Sequence, residues 1–336
     1  MFEYSLSSFG KYKKHTFADE NGNAFSLIPE FGASLINLTF LGTSVLDSYD
    51  TPEALTENKW SKGIFLFPYP NRLRDGKYSH LGEDYQFDIN NAATGNSIHG
   101  FGKNVPMHVT ETRVTKNYAY INCRWKHDGT TKAYPFPFVI DISFKMSLLS
   151  DENIDDVSGI KKKLSSVKLQ IRMKFKNKAK TSIPVGLGWH PYFILTPDVG
   201  NTDLKMPPNT QIIEIDERML PTGKKENYTA FETLKPIGNT TLDNGFLLSQ
   251  SEHNKVATVI ACHTLFSTNF LQFWQETGPG KFNFLQVFTP PNRKSIAIEP
   301  MTCNIDAFNN KEGLVLLSPD AVLKGKFGII FSKINR

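Results

Sequence analysis

Residues 183–193, IPVGLGWHPYF, read as a β-strand that carries chemistry. Val185, Leu187 and Trp189 alternate with Gly186, Gly188 and His190, so a strand here has one bulky apolar face. The other face is bare until it reaches the imidazole of His190. The two glycines would leave room for a flat group to lie against the backbone, and Pro191 interrupts the ladder, which sets His190 near a strand end. A core strand with a merely hydrogen-bonded histidine has the same pattern, and this stretch alone does not separate the two readings.

Outward from it, the same short apolar alternation recurs at 24–28, 33–40, 42–45, 109–125, 138–149, 161–164, 169–175, 211–216, 257–261, 270–274, 284–289, 295–299, 313–317 and 327–333. Helical periodicity is missing except for a turn or two at 51–58, with Pro52 near its start. Asp75-Gly76 and Asn244-Gly245 are hairpin turn signals. Many strands with few helices predict an all-β chain folded as a large antiparallel β-sandwich. No Gly-, Ser- or Pro-rich linker divides it, so one domain over 1–336 is expected.

Composition narrows the function. The 336 residues are 40% hydrophobic, enough to bury a large core. The 38 basic and 33 acidic residues leave a net charge of +5, and the lysines are scattered. Only 10–15 and 159–163 are locally basic, which is not the concentrated stripe a nucleic-acid binder uses. Cys123, Cys262 and Cys303 lie far apart with no CxxC pair, which argues against a disulfide framework, a structural zinc site or any other metal site. The first twenty residues contain no apolar leader segment and no run approaches eighteen apolar residues, so a cytoplasmic protein without a membrane partner is expected. A phosphate-binding P-loop, a dinucleotide-binding GxGxxG after a strand and a GxSxG nucleophile elbow are all missing.

What remains are isolated polar residues in apolar or glycine-rich settings: Arg72 after Asn71, His99 within GNSIHGF, His190, Asp243 within TLDNGF, and Glu299 after SIAI. Arg72 and Arg74 share a side if 71–74 is extended. Alternation puts Glu299 on the face away from Ile296 and Ile298, and Trp189 opposite His190, in the core.

Five segments in order, NRLRDGKY (71–78), NSIHGF (96–101), GWHPYF (188–193), LDNGF (242–246) and EPMTCNIDAFN (299–309), resemble the aldose 1-epimerase (galactose mutarotase) family over nearly the whole chain. The resemblance implies a large antiparallel β-sandwich in one domain and an enzyme that interconverts the α and β anomers of a free hexose such as galactose or glucose, with no cofactor. It implies Glu299 as general base, His190 as general acid, Asp243 as the carboxylate that holds sugar hydroxyls, and Arg72, His99 and Asn71 as further substrate-binding residues. Cys303 and Leu73–Arg74 depart from the family pattern, which bears on the preferred sugar. Two other readings are an epimerase of a phosphorylated or otherwise acidic hexose, with Arg74 and Lys77 assisting Arg72, and a non-catalytic carbohydrate-binding protein of the same fold. The expected partner is the small-molecule hexose, with the chain a monomer or a homodimer. The five residues should converge on one pocket, with Tyr192 and Phe101 as candidate aromatic lining.

Overall fold

The computed structural model describes residues 1–155, 161–249, 255–262 and 269–335. Of the basic stretch 159–163, Gly159 and Ile160 lie outside them. Helix is confined to short segments, and every paired strand in the named ladders runs antiparallel.

Alternation explains the longest strands. In Lys161–Asn177, Val167, Leu169, Ile171, Met173 and Phe175 are buried while Lys168, Gln170, Arg172 and Lys174 between them are partly exposed. Phe138–Leu148 and Val322–Asn335 flank it on either side, and together they form the middle of a ten-stranded sheet. An eight-stranded sheet faces it. Its central strand, Ile296–Met301, lies between Phe284–Phe288 on one side and Gly188–Trp189 with Tyr192–Phe193 on the other. A five-stranded meander, from Glu3–Phe9 to Thr43–Ser44, extends the sandwich.

Aromatic rings weld the layers. Trp189, on the eight-stranded sheet, is fully buried and stacks on Phe327 of the ten-stranded sheet at 5.5 Å between centroids, and its indole N–H donates to Gly63 O at 3.2 Å. Phe40 of the meander stacks on Phe331 at 5.5 Å. Burial of one such ring is worth about 1.5–3 kcal/mol.

Several local expectations give way. Residues 183–193 are three short strands, Ile183–Val185, Gly188–Trp189 and Tyr192–Phe193, because the chain changes partners along the way. Gly186 N donates to Pro68 O at 2.6 Å instead of joining a ladder. The space beside its glycines is occupied by the protein itself. A Cβ on Gly186 would overlap Cys303 Sγ and lie 2.8 Å from Pro70 Cδ, and one on Gly188 would lie 3.0 Å from Pro70 Cβ. Asn244-Gly245 is no turn but the interior of Asp243–Leu247, paired with Val287 and Gln286. Asp75-Gly76 does turn, with both residues at positive φ, yet the strands it joins pair elsewhere: Arg72–Arg74 with Asn96–Ile98, and Lys77–His80 with Glu83–Gln86. Residues 161–164 and 169–175 are one continuous strand, whereas 109–125 spans two, His108–Val114 and Tyr118–His127.

Gly186→Ala is expected to destabilise the chain by about 1–3 kcal/mol through overpacking. Adding Cys303→Ala, which removes the nearest atom, should recover part of that loss. Denaturant titration of the single and double variants checks both, and an unchanged midpoint in Gly186→Ala would refute the packing account.

Candidate active site

The outer face of the eight-stranded sheet builds a cleft of about 280 Å³. Ile298 and its neighbours Leu285 and Val287 on the adjoining strand face the core, so alternation turns Glu299 and Gln286 the other way, directly opposite each other in register. Asp243 opens the next strand, paired with Phe288. Arg72 and His99 come from the small ladder between Arg72–Arg74 and Asn96–Ile98, where Ile98 pairs with Arg72. His99 sits at φ 71° just past that ladder, its N–H donating to Asn71 O at 2.9 Å. His190 is held between short strands: its N–H donates to Ile64 O at 3.0 Å and its carbonyl accepts from Gly63 N at 2.8 Å.

The polar side chains meet closely. His190 Nε2 lies 3.4 Å from Glu299 Oε1. The His190 ring stacks on Tyr192 at 5.0 Å and meets the His99 ring edge-on at 5.2 Å. Asn71 Oδ1 accepts from Arg72 N at 2.9 Å and from Arg72 Nη1 at 3.1 Å, while Arg72 Nη2 donates to the thioether of Met219 at 3.1 Å. Gln286 links the two sides: its Nε2 donates to Asp243 Oδ1 at 2.9 Å and its Oε1 accepts from Asn71 Nδ2 at 3.2 Å. Among the described residues, four buried polar atoms on cleft-lining side chains have no hydrogen-bond partner: Arg72 Nε, His99 Nδ1, His190 Nδ1 and Glu299 Oε2. Buried polar atoms are nearly always satisfied, so such a cluster marks a place built to receive polar groups.

Burial sets the charge states. It pushes the Glu299 carboxyl well above the usual carboxylate range; the Asp243 carboxylate raises it further and the Arg72 guanidinium opposes both. Burial lowers the His190 imidazole to about 3 and puts His99 well below its ordinary value, with His190 and Arg72 lowering His99 further. Asp243 is raised by burial against the pull of Arg72 and Gln286. The cleft therefore favours a neutral His190 beside a protonated Glu299, a pair that carries one proton between two groups.

All six candidate residues, Asn71, Arg72, His99, His190, Asp243 and Glu299, line this one cleft. Tyr192 lines it as well. Phe101 does not; it packs among Phe67, Trp125, His127 and Phe138. Arg74 points away and pairs with Asp306 at 3.6 Å, and Lys77 is exposed. Sequence reasoning missed Gln286, Trp60, Ser61, Asn91 and Phe288. Gln286 had a signal, a lone amide inside the apolar run FLQVF. Trp60 had none, because it stands on a loop with no periodicity. Among the described residues, no three His, Cys, Asp or Glu side chains group as a metal site, and no helix is long and apolar enough to cross a membrane.

The cleft thus sets two close, buried titratable side chains, Glu299 and His190, among further polar side chains on an antiparallel sandwich. The aldose 1-epimerase family model matches residues 15–155 and 160–329, and the chain belongs to that family. It is 26% identical over 304 residues to the uncharacterized protein YihR of Escherichia coli K12, covering 88% of this chain and 86% of that one. Its fold is similar to a galactose mutarotase-like protein from Clostridium acetobutylicum, with a TM-score of 0.81, 20% identity and 99% and 98% of the two chains covered. It is also similar to galactose 1-epimerase from Lactobacillus acidophilus, with a TM-score of 0.75, 15% identity and 100% and 99% coverage.

The inverted charge logic has a consequence for stability. His190 is about 3 in the folded chain and near 6.5 when unfolded, so between those values the unfolded chain binds more protons and stability falls as pH falls. His99 acts in the same direction. His190→Asn should flatten the loss of melting temperature between pH 6.5 and about 3, checked by thermal scans across that range. An equally steep loss in the variant would contradict it.

Proposed function

We propose that this chain is an aldose 1-epimerase that interconverts the α and β anomers of a free hexose, galactose or glucose being the first candidates. The reading is carried by one observation: Glu299 and His190 stand 3.4 Å apart, buried, each with a further polar atom lacking a partner, in a cleft edged by Asp243, Gln286 and Arg72.

Ring opening needs a base at the C1 hydroxyl and an acid at the ring oxygen O5. Glu299 as carboxylate takes the hydroxyl proton, the C1–O5 bond breaks as the C1 carbonyl forms, and His190 as imidazolium gives its proton to O5. The C1–C2 bond rotates, O5 attacks the other face of the carbonyl, and both protons return. Opening thus converts carboxylate and imidazolium into carboxyl and imidazole, which are the forms burial favours here. Desolvation therefore assists the bond-breaking step. The charged form that starts the cycle has the same proton count as the resting pair. It is reached by moving one proton from Glu299 to His190, and it is favoured by the Arg72 guanidinium and by sugar hydroxyls that hydrogen-bond the carboxylate. Asp243, oriented by Gln286, grips hydroxyls, and Arg72 and His99 direct their unpaired nitrogens at the sugar.

A phosphorylated hexose would need a cationic clamp. Arg74 is drawn off to Asp306, and among the described residues Arg72 is the one Lys or Arg side chain lining the cleft. A pure binder has no need of both an acid and a base.

Glu299→Gln and His190→Asn should each lower turnover by about 10²–10⁴-fold with a smaller change in KM, since each removes a proton-transfer partner. Asp243→Asn should lose a substantial part of its activity through KM. The assay follows freshly dissolved α-glucose or α-galactose to anomeric equilibrium by polarimetry, corrected for the spontaneous rate. Wild-type turnover in Glu299→Gln would sink the mechanism.

The rate should depend on the one-proton state of the pair. Activity falls at acid pH when His190 takes a second proton, below the ordinary histidine range, and at alkaline pH when Glu299 releases the first, above the ordinary carboxylate range. The pH–rate profile should therefore be a broad plateau; a narrow bell confined between the ordinary carboxylate and histidine values would contradict this account.

A further inference from the structure

Trp60 lines the cleft, and it also lines a second cavity of about 400 Å³. Trp60 and Tyr192 line both cavities. Tyr192 is the ring stacked on His190, so a side chain in contact with His190 borders both spaces. The second cavity mixes apolar and polar lining: Tyr49, Ala54 and Pro290 stand among Asp50, Glu57, Lys59 and Asn292.

The indole is held out by design of the loop. Trp60 is 43% exposed, although a tryptophan is costly to leave in water. Asn58, Trp60 and Ser61 all adopt positive φ, at 54°, 66° and 54°, a conformation that costs each side-chain-bearing residue free energy. The surroundings impose it. The helix Pro52–Glu57 is capped at Thr51 and ends on Asn58 in the left-handed conformation. The buried Tyr49 hydroxyl lies 2.7 Å from Lys59 O and accepts from Lys62 N at 2.9 Å, and the Tyr192 hydroxyl donates to Trp60 O at 3.0 Å. Lys62 Nζ pairs with Asp47 Oδ1 at 2.5 Å, and Asp47 Oδ2 accepts from Ser295 Oγ at 2.7 Å, which fastens the loop to the residue before the Glu299 strand. The pinned loop thus presents to both cavities an indole that packs on Phe288, with ring centroids 5.7 Å apart, and keeps its remaining surface exposed.

We propose that the second cavity is a subsite for a sugar residue linked to the one whose anomers are exchanged, so that the chain prefers the reducing end of a disaccharide or longer glycan. The inference rests on the epimerase reading of the cleft. The C–H face of a pyranose ring is flat and apolar and packs on an indole, while its hydroxyl edges seek carboxylates, ammonium groups and amides. Trp60 supplies the first, and Asp50, Glu57, Lys59 and Asn292 supply the second. At about 280 Å³ the cleft itself lies just under the usual range of small-ligand pockets, about 300–1,000 Å³, which suits one ring; the linked residue then lies outside it, where the second cavity begins.

The test measures kcat and KM for anomer exchange of glucose, galactose, cellobiose and lactose by exchange NMR. The variants are wild type, Trp60→Ala, Trp60→Phe, Asp50→Ala and Asn292→Ala. The disaccharides should have the higher kcat/KM in wild type. Trp60→Ala should lower that value about five- to tenfold through KM, the scale of one stacking contact, with Trp60→Phe retaining most of it. Asp50 and Asn292 touch the second cavity and not the first, so their variants should change the disaccharide-to-hexose ratio. If hexoses are epimerised but that ratio stays fixed in both variants, the subsite is refuted and the epimerase reading stands. If no sugar is epimerised, calorimetry with cellobiose and lactose decides: binding that weakens in Asp50→Ala and Asn292→Ala upholds the subsite while the epimerase reading falls, and binding indifferent to both substitutions overturns both readings.

Discussion

One strand has to serve two environments. Ile296–Met301 runs through the middle of the eight-stranded sheet, with ladders on both sides. Its core face carries Ile296 and Ile298 into the sandwich, and the alternation that buries them forces Glu299 to the other face. With Gln286 opposite it in the ladder and His190 against it, the carboxyl is walled in, with a relative exposure of 2%. The desolvation of Glu299 is therefore a product of where the core is. A carboxylate there is expensive without partners, and the rest of the cleft is arranged around that cost: Arg72 near it, His190 against it, and Asp243 held off by its bond to Gln286.

The same constraint explains why Gln286 matters though it titrates nothing. It faces Glu299 across the ladder and bridges Asn71 and Asp243 with one donor and one acceptor. An amide can do this without adding charge beside a buried carboxyl, which a lysine or glutamate could not. The bridge ties the loop that sets Arg72 to the strand that sets Asp243, so the groups on either side of the pair share one scaffold.

The long alternating strands were legible because a half-buried strand writes period two into its sequence; 169–175 and 138–149 are cases. Residues 183–193 misled because alternation reports which side chains are buried, not which strand a backbone bonds to, and here the partner changes twice within eleven residues. Asn244-Gly245 misled because a turn signal is a preference that a neighbouring ladder overrides. The polar residues in apolar settings stood out singly, and only their resemblance to an ordered set tied them together. Trp60 was invisible because its role comes from a loop shape fixed by Tyr49, Tyr192 and Asp47, all distant from it in sequence pattern.

The pair at the centre resolves a difficulty that separate acid and base residues would face. A buried carboxylate and a buried imidazolium are each unfavourable alone, and each neutral form alone is idle as base or as acid. Held 3.4 Å apart with one proton between them, they exchange the neutral–neutral and charged–charged forms without drawing a proton from solvent. In the proposed reaction, ring opening moves the pair one way and closure moves it back, so a full anomer exchange leaves the proton count unchanged. That cycle calls for groups of matched burial, close spacing and no fixed hydrogen bond locking either one, and the unpartnered Nδ1 of His190 and Oε2 of Glu299 meet the last condition. In the proposed reaction, the burial that makes Glu299 a poor resting carboxylate is the same burial that draws a proton onto it as the sugar ring opens.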